Sequence, residues 1–536
     1  MVLKEQELLQ IDEKFINRLL TKDPKALAGL SIQLANDLKE ALERLNQNPT
    51  NSSTPSGSLA PWDTGLSETD DDEPTDKDNK ESDSVQEEKG NTTEEAKSKN
   101  TSSQQDSPPK KRNAGKQPGA PGFGRTQRLA ITSTVSHRCG GCSACRTDLS
   151  PIEKAYTGFQ TVNIAYGDTD SPGIQLTNTH HLYYAAVCPN CGLSNRSEPA
   201  RAAANNADWK NVGMTEWRLV GPDLAALIVY LSMDMRLTRR KVVLFLGDLL
   251  GVSLSLGSIQ NCMIESARAL APVEEELIND LLNESLLHAD ETSHKEAGAL
   301  LWLWVFITAS TALFLIGYRT KEIFTNLLAA TASPFDGWLM TDGYQTYRRY
   351  PKRLRCWAHL IRKACGLCDS YTESVRSYGQ QVNDHLDRLM GAIYKAREGP
   401  DEGKVSIVDA HQESLEQLSA LCEKMVESSH KKTHELGVEF LNDWEAIFRI
   451  LDYPVWPLTN NEAERALRHW VILRRITQGT RSEQGSRALA LFASVIETCR
   501  LRDSSPLLFI RDVITLRREG KDVPKLPAIP VLSLVA

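Results

Sequence analysis

The stretch Ser285-Leu-Leu-His-Ala-Asp290 opens the part of the chain that decides the fold. Four further segments follow it: apolar runs at 300–308 and 312–318, a helical pattern at 322–330, and Gly337-Trp-Leu-Met-Thr341. Short runs rich in aliphatic, aromatic and β-branched residues and bounded by turn residues indicate buried strands. The order strand, strand, strand, helix, strand predicts a mixed α/β domain. Its first strand is expected to end at Asp290 and its fourth just before Asp342.

A third carboxylate lies beyond a long helical stretch, in the first turn of a later helix. The pattern is helical from about residue 365 to 453, and Trp456-Pro-Leu-Thr-Asn-Asn461 then interrupts it. Asn460 or Asn461 suits the N-cap of the next helix, which places Glu464 in the first turn. Glu462 is the competing acid, but on a helix it points about 200° away from Glu464. We therefore expect only one of the two to face the aspartates.

The three carboxylates of Asp290, Asp342 and Glu464 have the character of a two-metal phosphoryl-transfer site. Two hard divalent cations need carboxylate oxygens from separate chain segments, and such a pair clamps the attacking and leaving oxygens at phosphorus. Taken singly, an Asp at a strand end or a Glu in a first helical turn is usually a cap or a solvated charge. The combination is what predicts catalysis, and a structural role is the alternative.

Length and charge set the broader limits. At 536 residues the chain is too long for one core, and usual domain sizes give roughly three or four domains. The net charge of −8 is unevenly distributed, with acids clustered at 70–78 and arginines at 465–487, near the third carboxylate. A local basic face is what binds phosphates. The apolar run 300–317 suits two buried strands joined by a turn better than it suits a membrane span.

Cysteines predict a zinc-binding module. Cys142-Ser-Ala-Cys145 and Cys188-Pro-Asn-Cys191 form two pairs whose spacing suits tetrahedral Zn²⁺. Cys139 is the alternative ligand in the first pair, and a redox role is the alternative function. Cys356-Trp-Ala-His359 with Cys365-Gly-Leu-Cys368 has similar spacing, but small buried side chains are favoured there over a second zinc. Eleven cysteines and a start without a secretory signal predict reduced thiols in the cytoplasm.

The first part of the chain offers further candidate DNA-binding elements. Leucines recur at intervals of three and four along 27–45, which predicts a helical pair or a self-associating coiled coil. Residues 47–127 lack large apolar side chains and predict a linker, whose Lys110, Lys111 and Arg112 would either follow a DNA backbone or only solubilise the chain. Residues 214–285 predict helices around a Gly251–Gly257 turn, either a helix-turn-helix or a packing hairpin.

Several motifs in combination resemble those of the transposases of the IS66 insertion-sequence family. The resembling segments are His288-Ala-Asp-Glu-Thr292, Asp342-Gly-Tyr-Gln-Thr-Tyr347, Cys356-Trp-Ala-His359, Asn460-Asn-Glu-Ala-Glu-Arg465 and Gly479-Thr-Arg-Ser-Glu-Gln-Gly485. The resemblance covers most of the chain. It implies an RNase H-like catalytic domain in which Asp290, Asp342 and Glu464 form a DDE triad that binds Mg²⁺ or Mn²⁺. Arg465 and Arg468 are then candidates for binding donor-strand phosphates, with solvated surface charges as the alternative.

The implied function is DNA transposition: binding of the terminal inverted repeats and of target DNA, cleavage of phosphodiesters and strand transfer. The resemblance also implies a homo-oligomer, companion proteins of the same element, and a place on the bacterial nucleoid in the cytoplasm. The rival is a zinc-containing DNA-binding regulator without catalysis. The fold class expected is multidomain α/β, divided into N-terminal helices (1–46), linker (47–128), zinc-binding module (129–200), helical region (214–284), catalytic core (285–365), helical insertion (366–456), and second core part with C-terminal tail (457–536).

Overall fold

The structure is a computed structural model that describes residues 11, 13–45, 129–149, 154–167, 170, 172–197, 219–331, 334–398 and 406–530. The predicted linker, including Lys110, Lys111 and Arg112, lies outside the described residues. The described part is a mixed α/β structure with two β-sheets and many helices.

Two helices begin the described chain, as the leucine spacing predicts. Helix α1 covers Glu13–Lys22 and helix α2 covers Pro24–Leu45. Asp23 separates them, and its Oδ1 accepts a hydrogen bond from the Ala26 amide at 3.0 Å. Near the end of α2, Glu43 accepts hydrogen bonds from the Ser370 hydroxyl and the Tyr371 amide. These bonds attach the N-terminal helices to the helical insertion.

The first sheet carries the two cysteine pairs. It consists of β1 (Ser133–His137), β2 (Lys154–Tyr166), β3 (Ile174–Val187) and β4 (Ser194–Arg196), with β3 between β1 and β2 and also paired with β4. The long β2–β3 pair is antiparallel, and β1 runs parallel to β3. Because β1 and β3 run in the same direction, the chain segments that follow them emerge at the same end of the sheet. Cys142 and Cys188 lie in those two segments.

Four helices precede the second sheet: α3 (Pro222–Met233), α4 (Arg239–Leu250), α5 (Leu256–Leu270) and α6 (Val273–Leu282). The turn between α4 and α5 uses Gly251 at a φ of 64°, a left-handed conformation that favours glycine. Ser255 caps α5 by accepting from the Ser258 amide. Helix α5 buries Ile259, Met263 and Ala267 in the hydrophobic core that also includes the second sheet. The structure therefore supports the packing interpretation of this hairpin.

The second sheet carries the two candidate aspartates. Its strands are β5 (Leu286–Glu296), β6 (Ala299–Ile307), β7 (Ala312–Gly317), β8 (Trp338–Thr341) and β9 (Arg353–Arg355), with helix α7 (Lys321–Leu328) between β7 and β8. The spatial order is β7-β6-β5-β8-β9. Neighbouring strands in β5, β6 and β7 are antiparallel, while β8 runs parallel to β5 and β9 parallel to β8.

Two sequence expectations need correction here. The first strand does not end at Asp290, because β5 continues to Glu296 and forms a hairpin with β6 through Ala297 and Gly298, both at positive φ. The second half of β5 is polar, so its sequence pattern did not indicate a strand, although its partner β6 is strongly apolar. The short strand β9 was also not expected. Its arginines are charged residues that the sequence pattern does not distinguish from a surface loop, yet Arg353 and Arg355 are buried.

The apolar run 300–317 forms β6 and β7, in agreement with the strand interpretation. Val305 and Phe306 are buried in the main core, with Phe314 of the neighbouring strand. None of the helices in the described ranges combines the length and the apolar character needed to cross a bilayer.

A second hydrophobic core holds the helical insertion together. The helices of this core are α8 (Trp357–Cys368), which begins before residue 366, the expected start of the insertion, and then α9 (Glu373–Glu398), α10 (Ile407–Ala410), α11 (Gln412–Val426) and α12 (Lys431–Phe448). The insertion is anchored to the sheet through β9: Arg353 Nη2 donates to Asp443 Oδ1 at 2.7 Å, and Arg355 Nη1 donates to Asp443 Oδ2 at 3.2 Å. Although burial opposes it, hydrogen bonds and charges from these arginines hold the pKa of Asp443 below its usual value.

Three helices complete the chain: α13 (Asn461–Thr477), α14 (Glu483–Leu501) and α15 (Pro506–Arg518). Helix α14 packs beside β7, the edge strand of the second sheet. The Thr498 hydroxyl accepts from the Ala312 amide at 3.0 Å, and the Ser494 hydroxyl accepts from the Phe314 amide at 2.8 Å. Side chains of a helix thus complete the hydrogen bonds of this edge.

Candidate active site and metal centres

Asp290 lies within β5, and Asp342 directly follows the neighbouring parallel strand β8. Strand β5 pairs with β8 through His288 and Met340, and each aspartate stands two residues further along its chain. Side chains alternate between the faces of a strand, so Asp290 shares a face with His288. Beyond Thr341 the chain leaves β8, and the Tyr344 amide donates to Asp342 Oδ1 at 2.9 Å. The strand register therefore brings two carboxylates from distant sequence positions side by side.

The electrostatics of Asp290 show that the third carboxylate is also near. Burial raises the pKa of Asp290 well above its usual value, and the charges of Asp342, Glu291 and Glu464 raise it further. The Glu291 amide opposes this effect by donating to Asp290 Oδ1 at 2.9 Å. Three carboxylates that repel one another in a partly enclosed site favour a cation, because a positive charge stabilises the ionised forms.

The carboxylates are nevertheless spread apart. Within the described ranges, Asp290, Asp342 and Glu464 do not form a set whose oxygen atoms all lie within 4.8 Å of one another. Two ions about 3.5–4 Å apart need a wider arrangement of ligands than one ion does. The donor set, carboxylate oxygens only, suits hard cations such as Mg²⁺ or Mn²⁺.

Asn460 ties the helix of Glu464 to the strand of Asp290. It occupies the N-cap position of α13, but its side chain makes no capping hydrogen bond. Instead Asn460 Nδ2 donates to the Ala289 carbonyl at 2.8 Å, and Asn460 Oδ1 accepts from His288 Nδ1 at 3.1 Å. Burial lowers the pKa of His288, which keeps its ring neutral at neutral pH. The expected N-cap residue thus has a long-range role that capping rules do not describe.

Glu464 points into the site, whereas Glu462 points to solvent. The Glu464 side chain is 14% exposed, and its Oε1 lies 3.2 Å from Arg362 Nη2 and 3.7 Å from His359 Nδ1. The Glu462 side chain is 50% exposed and forms an ion pair with Arg465. The helical offset between the two acids accounts for this difference.

The four predicted zinc ligands lie together. The sulfur atoms of Cys142, Cys145, Cys188 and Cys191 all lie within 4.8 Å of one another. The Cys145–Cys188 distance is 3.4 Å and the Cys142–Cys191 distance is 3.5 Å. Four sulfurs at such separations surround a point suited to one tetrahedral ion with bonds of about 2.3 Å. This cluster can therefore hold zinc.

Cys139 lies outside that set of four. Its sulfur is 3.5 Å from the Tyr184 carbonyl, although the residue packs against the cluster. Asn195 instead supports the cluster, because its Oδ1 accepts from the Ser143 amide at 2.9 Å and its Nδ2 lies 3.6 Å from the Cys142 sulfur. The sequence did not single out Asn195, whose contacts cross more than fifty residues of chain.

The second group of candidate ligands, Cys356, His359, Cys365 and Cys368, separates into two pairs in the described structure. Cys365 and Cys368 both contact Asn383 of α9, at sulfur–nitrogen distances of 3.5 Å. Cys356 and His359 instead lie beside Glu464, and one ligand atom from each of these three residues falls within 4.8 Å of the others. The C-x-x-H element is thus part of the candidate active site.

Comparison with known proteins follows this geometry. Residues 218–488, which carry all three carboxylates, match the family described as Transposase IS66 family. The chain belongs to the IS66 transposase family.

Two curated relatives come from Sinorhizobium fredii. The uncharacterized protein y4qI is 24% identical over 252 residues, covering 42% of this chain and 46% of that protein. The uncharacterized protein y4hP is 39% identical over 74 residues, covering 14% of this chain and 13% of that protein. The chain thus spans less than half the length of either relative.

A network behind the carboxylates of this IS66 transposase was not found from the sequence. Glu291 lies on the opposite face of β5 from Asp290, where it accepts from Arg319 Nη2 at 2.9 Å and from the Tyr347 hydroxyl at 2.7 Å. The Arg319 guanidinium lies 4.0 Å from the centre of the Tyr344 ring. Burial, with the Asp342 charge, raises the pKa of Glu291 to about 7, against the lowering effects of Tyr347 and Arg319.

This network braces the segment that carries Asp342, because Tyr344 and Tyr347 follow it directly. Both ends of the network lie inside motifs that the family resemblance already contains, His288-Ala-Asp-Glu-Thr292 and Asp342-Gly-Tyr-Gln-Thr-Tyr347. Both motifs can be recognised in the sequence, but the sequence does not show that they are in contact.

Basic residues lie on the helix of Glu464 and in a groove beside Asp342. Arg465 and Arg468 are exposed on α13, and Arg465 pairs with the solvent-facing Glu462. A groove of about 430 Å³ runs between Asp342 and α12. Arg348, His359 and Lys363 also line the groove. Basic groups in reach of a carboxylate site can bind the phosphates of a polynucleotide.

Proposed function

We propose that this chain is a metal-dependent DNA transposase in which Asp290, Asp342 and Glu464 are the catalytic carboxylates. The observation that carries the proposal is the placement of Asp290 within β5 and of Asp342 directly after the neighbouring parallel strand β8, with Glu464 close enough to raise the pKa of Asp290. One Asp on a strand, a second Asp just beyond the adjacent strand and a Glu from a packed helix together supply the oxygen ligands that two divalent cations need.

We infer an RNase H-like catalytic core. Its support is the five-stranded order β7-β6-β5-β8-β9, with three antiparallel strands followed by two parallel ones. Helices α3 to α6 share one hydrophobic core with this sheet, while α8 to α12 pack in a second core that also includes Met340 of β8 and Leu354 of β9. In the proposed division, the insertion therefore packs on the strand pair β8 and β9, and the helices of 219–282 act as a packing layer for the catalytic sheet.

Asp290, Asp342 and Glu464 would hold Mg²⁺ or Mn²⁺. When bound, such a pair of cations stabilises the negative charge on the attacking and leaving oxygens of an in-line displacement at phosphorus. Asp290 interacts with both of the other acids and is the carboxylate expected to be shared. Asn460 and Glu291 position the strand and the Asp342 segment, and so preserve the ligand geometry.

Two displacements at phosphorus follow from this site. In the first, a water oxygen attacks a phosphodiester at the element end, the bond from phosphorus to the 3′ oxygen breaks, and that oxygen takes a proton. In the second, the freed 3′ hydroxyl attacks a target phosphodiester, loses its proton and displaces the target 3′ oxygen. The displaced target 3′ oxygen takes up a proton in turn. The first step converts a phosphodiester into a phosphomonoester and a free 3′ hydroxyl, the second exchanges one phosphodiester for another, and neither changes an oxidation state.

DNA would reach the site through basic surfaces. Arg465 and Arg468 are proposed to bind phosphates of the donor strand, and Lys110, Lys111 and Arg112 to bind the backbone or a groove. The Cys142, Cys145, Cys188 and Cys191 cluster is proposed to bind a structural Zn²⁺ that fixes the module of residues 129–197. Terminal inverted repeats and target DNA are the expected partners, with a homo-oligomer, companion proteins of the element and the bacterial nucleoid as the expected setting.

The test is a cleavage assay on the DNA that borders the gene, with Mg²⁺ and purified full-length chain. Asp290→Asn, Asp342→Asn and Glu464→Gln should each abolish cleavage and strand transfer, because several kcal/mol of transition-state stabilisation correspond to roughly 10³-fold or more in rate. Glu462→Gln is the matched control on the same helix and should retain activity. Wild-type activity in the three variants would refute the assignment of these carboxylates. DNA binding by the wild-type chain without any Mg²⁺-dependent cleavage would favour a non-catalytic DNA-binding regulator.

A further inference from the structure

Cys356, His359 and Glu464 form a second cluster of ligand atoms within the candidate active site. Their sulfur, ring nitrogen and carboxylate oxygen all lie within 4.8 Å of one another. This mixed set of sulfur, nitrogen and oxygen donors differs in kind from the all-oxygen set of the catalytic carboxylates. Thiolate and imidazole favour borderline cations such as Zn²⁺, while Mg²⁺ prefers oxygen.

The backbone holds the first two ligands rigidly. Cys356 directly follows β9 and occupies the N-cap position of α8, and His359 lies in the first turn of that helix. The Cys356 amide donates to the Thr341 carbonyl at 2.9 Å, directly before Asp342. The Asn460 amide donates to the Cys356 sulfur at 3.2 Å. The cluster is thus fixed to both the Asp342 strand and the Glu464 helix.

His359 supplies a second observation that points to a ligand. Its Nδ1 atom is buried and has no hydrogen-bond partner among the described residues. The nearest carboxylate atom, Glu464 Oε1, lies 3.7 Å away, too far for a hydrogen bond. A separation of about 3.3 Å is expected between two ligands of one tetrahedral zinc with bonds of 2.0–2.1 Å. A small movement of Glu464 would bring both atoms onto one ion.

We propose that Cys356, His359 and Glu464 form an inhibitory Zn²⁺ site that removes Glu464 from the catalytic carboxylates. This inference rests on the proposed function, since it concerns the regulation of the same active site. A carboxylate bound to zinc on the α8 side cannot also serve the cations at Asp290 and Asp342 in the same geometry. Occupancy of the two sites is therefore competitive.

Arg362 sets the zinc concentration at which the switch occurs. Its Nη2 lies 3.2 Å from Glu464 Oε1, while its Nε donates to the Ala358 carbonyl at 3.1 Å. When no zinc is bound, the Arg362 guanidinium pairs with the Glu464 carboxylate, so zinc binding must displace this positive charge. We therefore expect weaker binding here than at the four-cysteine cluster, which has no such competitor among its described contacts.

Metal binding can be measured without any DNA by titrating the metal-free full-length chain with Co²⁺ as a spectroscopic probe. Wild type should bind two equivalents with thiolate-to-metal absorption. The second, weaker equivalent should show roughly a quarter of the absorption of the first, because it has one thiolate instead of four. Cys356→Ser should lose the charge-transfer band of the second equivalent, and His359→Gln should weaken that equivalent by roughly 10–100-fold or more. Only one thiolate-bearing equivalent in wild type would overturn the proposal, even if a variant fails to fold.

Inhibition is then measured as the ratio of the cleavage rate with Zn²⁺ to the rate without it, at constant Mg²⁺. The ratio should fall with zinc in wild type and should be much less sensitive in Cys356→Ser. Equal sensitivity of the two proteins would refute the inhibitory role. Absence of Mg²⁺-dependent cleavage at any zinc concentration would instead refute the proposed function, while the cobalt titration would still decide whether the site exists.

Discussion

Asn460 Nδ2 donates a hydrogen bond of 2.8 Å to the carbonyl of Ala289, the residue before Asp290. The bond joins the N-terminus of α13 to the middle of β5 across 171 residues of chain. Both Asn460 and Ala289 are fully buried. The third carboxylate of the candidate site is therefore positioned against the first by a side-chain amide, in addition to the packing of the helix.

Asn460→Ala should reduce both stability and cleavage. The change leaves the Ala289 carbonyl without its partner in the interior, which costs about 1–3 kcal/mol, and it frees the start of α13 from β5. Urea unfolding and the Mg²⁺-dependent cleavage rate are the measurements. Asn461→Ala is the matched control, because the neighbouring Asn461 is exposed. Equal behaviour of the two variants would contradict the positioning role.

Asp290→Asn should raise the melting temperature of the metal-free protein while it abolishes cleavage. The folded state raises the pKa of Asp290, so the unfolded chain ionises this group first and gains stability as pH rises above about 3.9. At neutral pH the wild-type carboxyl is destabilising, and an uncharged amide removes that effect. In a large domain, each ~1 kcal/mol of added stability raises the melting temperature by ~2–4 °C. The destabilisation vanishes below about pH 4, where both states are protonated.

Differential scanning calorimetry in the presence of a chelator tests this expectation. Glu462→Gln serves as the control, since its side chain is half exposed. Added Mg²⁺ should raise the melting temperature of wild type more than that of Asp290→Asn. A lower melting temperature for the metal-free variant would show that the carboxylate stabilises the fold.

We expect one tightly bound zinc to co-purify with the wild-type chain, and Cys188→Ser should remove it and expose residues 129–197 to protease. Structural zinc sites supply folding free energy directly, so loss of one of four ligands unfolds a small module. Metal analysis and limited proteolysis provide the readouts. Cys139→Ser is the comparison, because Cys139 lies outside the four-sulfur set. Zinc lost from Cys139→Ser would make Cys139 a ligand in the first pair, and zinc retained in Cys188→Ser would refute the four-cysteine site.

Asp443→Asn should destabilise the attachment of the helical insertion by about 3–5 kcal/mol, because it removes the carboxylate that buried Arg353 and Arg355 share and leaves Arg355 with Glu439 alone. Since the pKa of Asp443 is lowered in the folded state, its contribution is present at neutral pH and disappears only as pH falls below about 4. Chemical unfolding at neutral and acidic pH is the measurement. Glu445→Gln, at an exposed ion pair with Arg449, should change stability by less than about 1 kcal/mol.

The apolar strands could be predicted because their signal is local. Strands β6 and β7 are continuous runs of large apolar side chains, and Glu464 differs from Glu462 by a helical offset that any sequence displays. The extension of β5 beyond Asp290 is polar, and β9 is three residues long with two buried arginines. Their burial depends on partners such as Asp443, which lies 88 residues from Arg355, and no local pattern contains that information.

The candidate site also contains residues that the sequence predicted and a partnership that it did not. Residue type and spacing indicated the three acids and the four-cysteine cluster, since carboxylate and thiolate chemistry is visible in single motifs. The partnership of Cys356 and His359 with Glu464 was not predicted, because their sequence neighbours Cys365 and Cys368 offered a more compact pattern. In the folded chain those cysteines contact α9, and the distant glutamate takes their place.

Both outer strands of the second sheet pack against helices from elsewhere in the chain, β7 against α14 and β9 against α12. The hydroxyl groups of Thr498 and Ser494 accept from the Ala312 and Phe314 amides of β7, and Asp443 binds the buried arginine side chains of β9. Unpaired strand edges are templates on which another chain can add a strand. A strand added beside β7 would have to displace α14. If copies of the chain assemble on DNA, we therefore expect them to associate through helical or DNA-mediated surfaces and not by joining these sheets edge to edge.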